Sequence, residues 1–194
     1  MLQSVEIGLR NWLDKAIAQH LANTHPNPTR WLMDPPIWMH SNELDVMENA
    51  KDKLAEQVRK GTRNAYGHND MVATASFSLW SNMIQNNQVW VALTYYKQGT
   101  LTRDIKRKEL HKIFDDIRNL RNRAYHLEPI FCQADLLEVY RNAVKYLNIL
   151  DPRLANLMKS LDRFESIFEG GDGWKTLRAE LYRHYSLDQL EETE

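Results

Sequence analysis

Cys132 is the only cysteine in the 194 residues of the chain. An internal disulfide is therefore excluded, as is a metal site built on several cysteines, and a reducing cytosol suits such a composition. Glycine and proline are scarce, at 7 and 6 residues, too few turn-formers for a many-stranded sandwich or barrel. No apolar run approaches the ~20 residues that span a bilayer. The opening residues Met1-Leu2-Gln3-Ser4-Val5-Glu6 lack the charged-then-apolar pattern of a signal peptide. A cytoplasmic protein without membrane attachment is the expectation. Excess charge of one sign is missing too. The net charge is -1, so the surface as a whole does not attract nucleic acid, and any such binding needs a local patch. Neither a glycine-rich phosphate loop nor a nucleophile elbow is present. His20, His25, His40, His68, His111 and His184 show no paired metal-ligand spacing, so no metal and no other cofactor is expected.

What the chain does have is helical periodicity. Leu2, Val5, Leu9, Leu13, Ala16 and Ile17 mark an amphipathic helix over residues 2–22. Pro26, Pro28, Pro35 and Pro36 then mark a loop, and Trp31 and Trp38 within it suggest that it packs on the body. Ser41 or Asn42 is placed to cap a helix running to Arg59. Residues 70–86 and 88–97 read as two short buried helices, with an extended Val89-Trp90-Val91 as the alternative. Thr102 is placed to cap a long helix ending before Pro129. Another helix follows over Asp135–Leu150, and Asp151-Pro152 opens one reaching Phe168. Gly170-Gly171-Asp172-Gly173 reads as a hinge before a last helix, Trp174 to Tyr185. The predicted fold is all-α, with residues 1–168 as one domain and 169–194 as a C-terminal helical extension.

The long helix carries two faces. At about 100° per residue, Ile113, Ile117, Leu120, Ala124 and Leu127 form one apolar stripe, while Arg118, Asn122 and His126 line up roughly opposite. Arg121 falls between them. From Arg103 to Arg123, eight Lys or Arg residues face four acids, a segment of net +4 within a chain of net -1. Such a stripe suits phosphate. His126 sits in the last turn, where the helix dipole favours imidazolium, and a histidine poised near neutrality can serve as acid and base. Solvated side chains on an exposed helix face are the plainer reading of the same pattern.

Arg121-Asn122-Arg123-Ala124-Tyr125-His126, with an Arg followed by Asn and a His five residues after the Arg, resembles the signature of HEPN domains, many of which are metal-independent ribonucleases. The string Ile117–Ile130 is similar to the Abi-like (abortive infection) branch. Val5-Glu6-Ile7-Gly8-Leu9-Arg10-Asn11 resembles that family's first-helix pattern, and Val72–Trp80 its central aromatic segment. Trp90 stands where the family often has another tryptophan. The blocks span residues 5–165 in the expected order. Leu127 stands where the family usually has a second histidine, and Phe77-Ser78-Leu79-Trp80 where it often has Phe-Gly-Phe-Trp.

The resemblance implies a HEPN-like helical bundle with additional C-terminal helices. It also implies an endoribonuclease of phage defence or a toxin, which cleaves RNA through attack by the neighbouring 2′-hydroxyl. In that reading His126 transfers protons, Arg121 holds phosphate oxygens and Asn122 orients one or the other. Arg118, Arg123, Glu6, Arg10 and Asn11 would bind RNA or support the site. Glu6 and Arg10 could equally be an exposed i, i+4 ion pair. A homodimer, with Tyr125 and Phe131 at its contact, would bring two histidines together, and an antitoxin or defence partner would control the activity. The alternative is a catalytically inactive module of the same fold that binds RNA or protein; a purely structural helical interaction protein is the third reading.

Overall fold

The apolar period that begins at Leu2 produces helix α1 (Leu2–Leu21), whose Val5, Leu9, Leu13 and Ile17 are wholly buried. The computed structural model describes residues 1–130 and 133–169, with Ala179 and Arg183 beyond them. After α1 come α2 (Ser41–Arg59), α3 (His68–Thr74), α4 (Phe77–Met83), α5 (Asn87–Tyr95), α6 (Arg107–Tyr125), α7 (Leu136–Leu150), α8 (Pro152–Leu161) and α9 (Phe164–Glu169). The described residues form helices, turns and loops and contain no strand, so the protein is all-α. No described helix is long and apolar enough to cross a membrane. The expected hinge at 170–173, Phe131 and Cys132 lie outside the described residues, as does the helix expected over 174–185 apart from helical Ala179 and Arg183.

α1 is the spine, packed against α4, α5, α6 and α7. Its approach to α7 depends on Gly8, where an added Cβ would come within 3.2 Å of Leu150 Cβ. The proline-rich loop does pack on the body. Trp31 is wholly buried, meets Trp80 edge-on at 6.2 Å, and donates its indole N–H to Asp14 Oδ1 at 2.9 Å. Burial of such aromatic rings supplies much of the core's apolar contact.

Several local expectations give way. α2 is not capped by Ser41 or Asn42. Instead the carboxylate of Glu43, three residues inside, accepts the His40 backbone N–H at 2.8 Å, a reach-back bond that satisfies an orphan donor. The stretch 70–86 breaks at Ala75-Ser76, whose backbone is extended, into α3 and α4. Val89-Trp90-Val91 is helical. Thr102 caps nothing: it is buried, donates to Gly99 O, and α6 begins only at Arg107. Asp151 does cap α8, accepting from the N–H groups of Arg153 and Leu154. That helix stops at Leu161 because Asp162 turns extended and its carboxylate accepts the Phe164 N–H at 2.9 Å, starting α9. The buried seam of α6 is Leu110, Phe114, Ile117 and Leu120. Ile113 and Ala124 are only half-buried, and Leu127 lies past the helix end, 92% exposed.

Asn86 joins three of these pieces. Its side chain accepts the Gln88 N–H at the start of α5, and its amide donates to the Glu43 carboxylate at 3.1 Å and more weakly to Trp38 O. Glu43→Ala removes the α2 reach-back bond and leaves the buried Asn86 amide without its carboxylate. We expect a loss of about 2 kcal/mol, roughly one for the cap and one for the orphaned donor, read by urea unfolding. A loss below a few tenths would show that this junction does not support the fold.

Candidate functional site

α6 ends in a way that presents its last residues. His126 is the C-cap residue, with φ -83° and ψ 8°. Leu127 follows in the left-handed region at φ 59°. The Leu127 N–H bonds back to Ala124 O at 3.3 Å and the Glu128 N–H to Arg123 O at 2.9 Å. This is a Schellman closure, which most often has glycine at the position held here by Leu127. The closure throws Leu127 outward and leaves the His126 imidazole exposed at the tip, its ring edge-on to Tyr125 at 5.8 Å. Among the described residues that imidazole makes no hydrogen bond.

Arg121 is not between two faces. It lies four residues beyond Ile117 and seven beyond Phe114, so it extends the inward seam. There its Nη2 stands 3.0 Å from Glu6 Oε2 of α1, with side-chain exposures of 30% and 12%. The pair is at contact distance without the alignment of a good hydrogen bond, so the Glu6 oxygen keeps acceptor capacity. Arg121 Nη1 donates to Asn122 Oδ1 at 3.0 Å, and the guanidinium lies 5.3 Å from the exposed Tyr125 ring. Arg121, Asn122, Tyr125 and His126 thus form one connected surface group backed by Glu6. The resemblance had suggested Glu6; the ion pair between Glu6 and Arg10 does not form. Arg10 instead donates to Ala73 O of α3 at 3.3 Å, and Asn11 is exposed beside it.

The remaining expected residues sit further from the tip. Arg118 pairs with Asp115 and donates to Ser81 Oγ at 3.0 Å and Asn82 Oδ1 at 3.3 Å, fastening α6 to α4 rather than standing free on an outer face. Arg123 donates to Pro129 O at 2.6 Å and pairs with Glu128 at 3.3 Å, stapling the turn after the helix. Lys112 pairs with Asp116 at 2.6 Å, which holds its ammonium pKa above the ordinary lysine value. Four of the eight cations of the basic stripe, Lys112, Arg118, Arg121 and Arg123, are therefore ion-paired, and Glu6 and Glu128 supply counter-charge from outside its sequence. His111, on the same helix, accepts or donates one hydrogen bond with Gln85 at 2.8 Å, and burial pushes its pKa down despite the nearby Asp115. The partners Ser81 and Asn82 were not foreseen, because their nearness to Arg118 is a long-range contact. Asp115, three residues before Arg118, was legible as a helix pair.

Among the described residues no group of three or more His, Cys, Asp or Glu side chains could hold a metal ion. Compared with protein-family models, curated proteins and solved structures, the chain finds no match. The site's interpretation therefore rests on its own geometry and chemistry.

A non-glycine residue in the left-handed region carries a backbone penalty of roughly 1–2 kcal/mol. The Leu127 side chain recovers little of it, since it touches almost nothing. Leu127→Gly is expected to raise unfolding free energy by about 1 kcal/mol, read by thermal or urea denaturation. Destabilisation would mean that Leu127 is buried in an assembly.

Proposed function

We propose that this protein is a metal-independent endoribonuclease of the HEPN type, in the Abi-like branch, acting in phage defence or as a toxin. One observation carries the reading: Arg121, Asn122 and His126 form a contiguous group at the exposed end of α6, and Arg121 is anchored from behind by the buried Glu6. Transesterification by a 2′-hydroxyl needs three things, namely a base for that hydroxyl, an acid for the leaving 5′ oxygen, and positive charge on the developing dianionic phosphorane. The exposed His126 imidazole supplies proton transfer. Arg121 has five N–H donors in a fixed fork. Glu6 and Asn122 engage two of its nitrogens, and its partial exposure leaves donors for phosphate oxygens. Pre-orientation by Glu6 saves the ordering cost that a free arginine would meet. Asn122 keeps the fork in place, Arg118 and Arg123 hold α6 against α4 and its closing turn, and Asn11 lies beyond Arg10.

One chain offers one histidine at the tip. A two-fold contact would supply a second and exclude water, and the exposed Tyr125 and Leu127 are the apolar surface available for it, at 74% and 92%. An antitoxin or defence partner would cover the same tip. The second reading is a non-cleaving RNA- or protein-binding module. It is favoured by the pairing of Arg118, Arg121 and Arg123 with carboxylates, which spends charge that phosphate would otherwise meet.

Labelled RNA incubated with the protein in excess EDTA separates the two. Cleavage that leaves a 2′,3′-cyclic phosphate is expected, and specific activity per chain should fall on dilution. His126→Ala should lower the rate ~100–10,000-fold with an unchanged melting curve, because the ring is exposed. Arg121→Ala is the poorer test, since it orphans the buried Glu6 and weakens the fold. RNA binding without cleavage would favour the module, and a strict requirement for a divalent ion would contradict the mechanism.

A further inference from the structure

We propose that a cavity of about 320 Å³ between α1 and α3, lined by Arg10, Asn11, Lys15 and Asn69, is a subsite for a phosphate group. In the context of the proposed ribonuclease, on which this inference rests, the group is a phosphodiester of the RNA strand flanking the cleaved bond.

Arg10 carries the case. It is half-buried, and its Nε is fully enclosed without a hydrogen-bond partner. It is the only arginine or lysine nitrogen among the buried, unpartnered polar atoms of the described residues. Its Nη1 donates to the Ala73 carbonyl, and among the described residues no carboxylate pairs with it. Arg118, Arg121 and Arg123 all have such a carboxylate. A half-buried guanidinium that lines the cavity without a counter-charge, and whose terminal nitrogens carry donors beyond the one given to Ala73 O, is suited to an oxyanion. The rest of the wall answers the same chemistry. Lys15 adds a second cation, and the amides of Asn11 and Asn69 add neutral donors. The one acid in the wall, Asp14, has its Oδ1 engaged by the Trp31 indole N–H at 2.9 Å and His68 Nε2 at 2.7 Å.

Position links the cavity to the tip of α6. Arg10 follows Glu6 by four residues on the same face of α1, about 6 Å along the helix axis. Glu6 holds Arg121, so the residue that anchors Arg121 and the residue that lines the cavity stand one helical turn apart on α1. A strand whose phosphate meets Arg121 is led along α1 into the cavity.

The test has two arms. In the first, binding of a fluorescent single-stranded RNA is measured against salt in a His126→Ala background, which separates binding from cleavage. Arg10→Gln should reduce the slope of log affinity against log salt by about 0.7, the value for one lost phosphate contact on a single strand. Arg10→Lys should restore most of it. In the second arm, inorganic phosphate is titrated while the side-chain amide resonances of Asn11 and Asn69 are followed by NMR; shifts are expected and should vanish in Arg10→Gln. If Arg10→Gln fails to fold, Asn69→Asp, an exposed change that puts a carboxylate in the wall, should produce the same two losses. RNA binding with an unchanged slope and no phosphate-induced shifts overturns the subsite and leaves the ribonuclease reading standing. Arg10-dependent phosphate shifts without RNA binding or cleavage uphold the subsite, for free phosphate, and remove the ribonuclease reading. Phosphate shifts that persist in both variants overturn the subsite.

Discussion

The contact between Glu6 and Arg121 is the constraint on which the rest of this site depends. Removing two charges from water is costly, and their attraction offsets that only when both are held in place. Here α1 and α6 hold them. Glu6 stands on the central helix, flanked by the buried Val5 and Leu9, and Arg121 continues the buried seam of α6. The pair therefore fixes the rotation of the exposed end of α6 relative to the core. Asn122 and Tyr125 take their positions from Arg121, and His126 takes its position from the helix end that Arg123 and the Schellman closure complete.

α1 repeats this use of a polar side chain at each turn. Glu6 reaches α6, Arg10 reaches the Ala73 carbonyl of α3, and Asp14 reaches both Trp31 in the proline-rich loop and His68 at the start of α3. Three residues spaced by four thus form a polar row beside the apolar one, and each tethers a different part of the chain. A part-buried hydrogen bond to a charged group contributes about 1.5–3 kcal/mol, so Asp14, which accepts from Trp31 and bonds His68, makes the row matter to stability as well as to the site. In α6, Arg118, Arg121 and Arg123 meet carboxylates and serve first to orient the helix and its closing turn, whereas Arg10 of α1, like Arg107 at the start of α6, is half-buried without one.

The all-α class, the course of α1, α2 and α7, and the Asp151 cap were legible because periodic apolar positions and capping residues are local signals. The breaks were not all read. Ser76 and Asp162 each begin a new helix, and both are residue types that favour that position, but the apolar pattern runs straight across them. Thr102 has the chemistry of a cap, yet burial and the Gly99 turn commit its hydroxyl elsewhere. In the site, His126 near the exposed helix end follows from its position in the last turn, whereas spacing grouped Arg118 with Asn122, and Arg121 stood beside Asn122 only in the signature that carries the resemblance. The partners follow from neither. That Arg121 turns inward to Glu6, that Arg118 is spent on Ser81 and Asn82, and that Arg10 faces a cavity are facts of tertiary packing, which a periodicity cannot carry.

The central claim is that Glu6 and Arg121 act as one unit that sets the site. A double-mutant cycle with Glu6→Gln and Arg121→Lys, read in unfolding free energy and in RNA cleavage rate on the same proteins, addresses it most directly. The account predicts that the second substitution adds little once the first is made, with a coupling of about 1–2 kcal/mol in stability and a matching non-additivity in rate. Additive effects in both readouts would mean that the two charges are neighbours without being partners, and would contradict it.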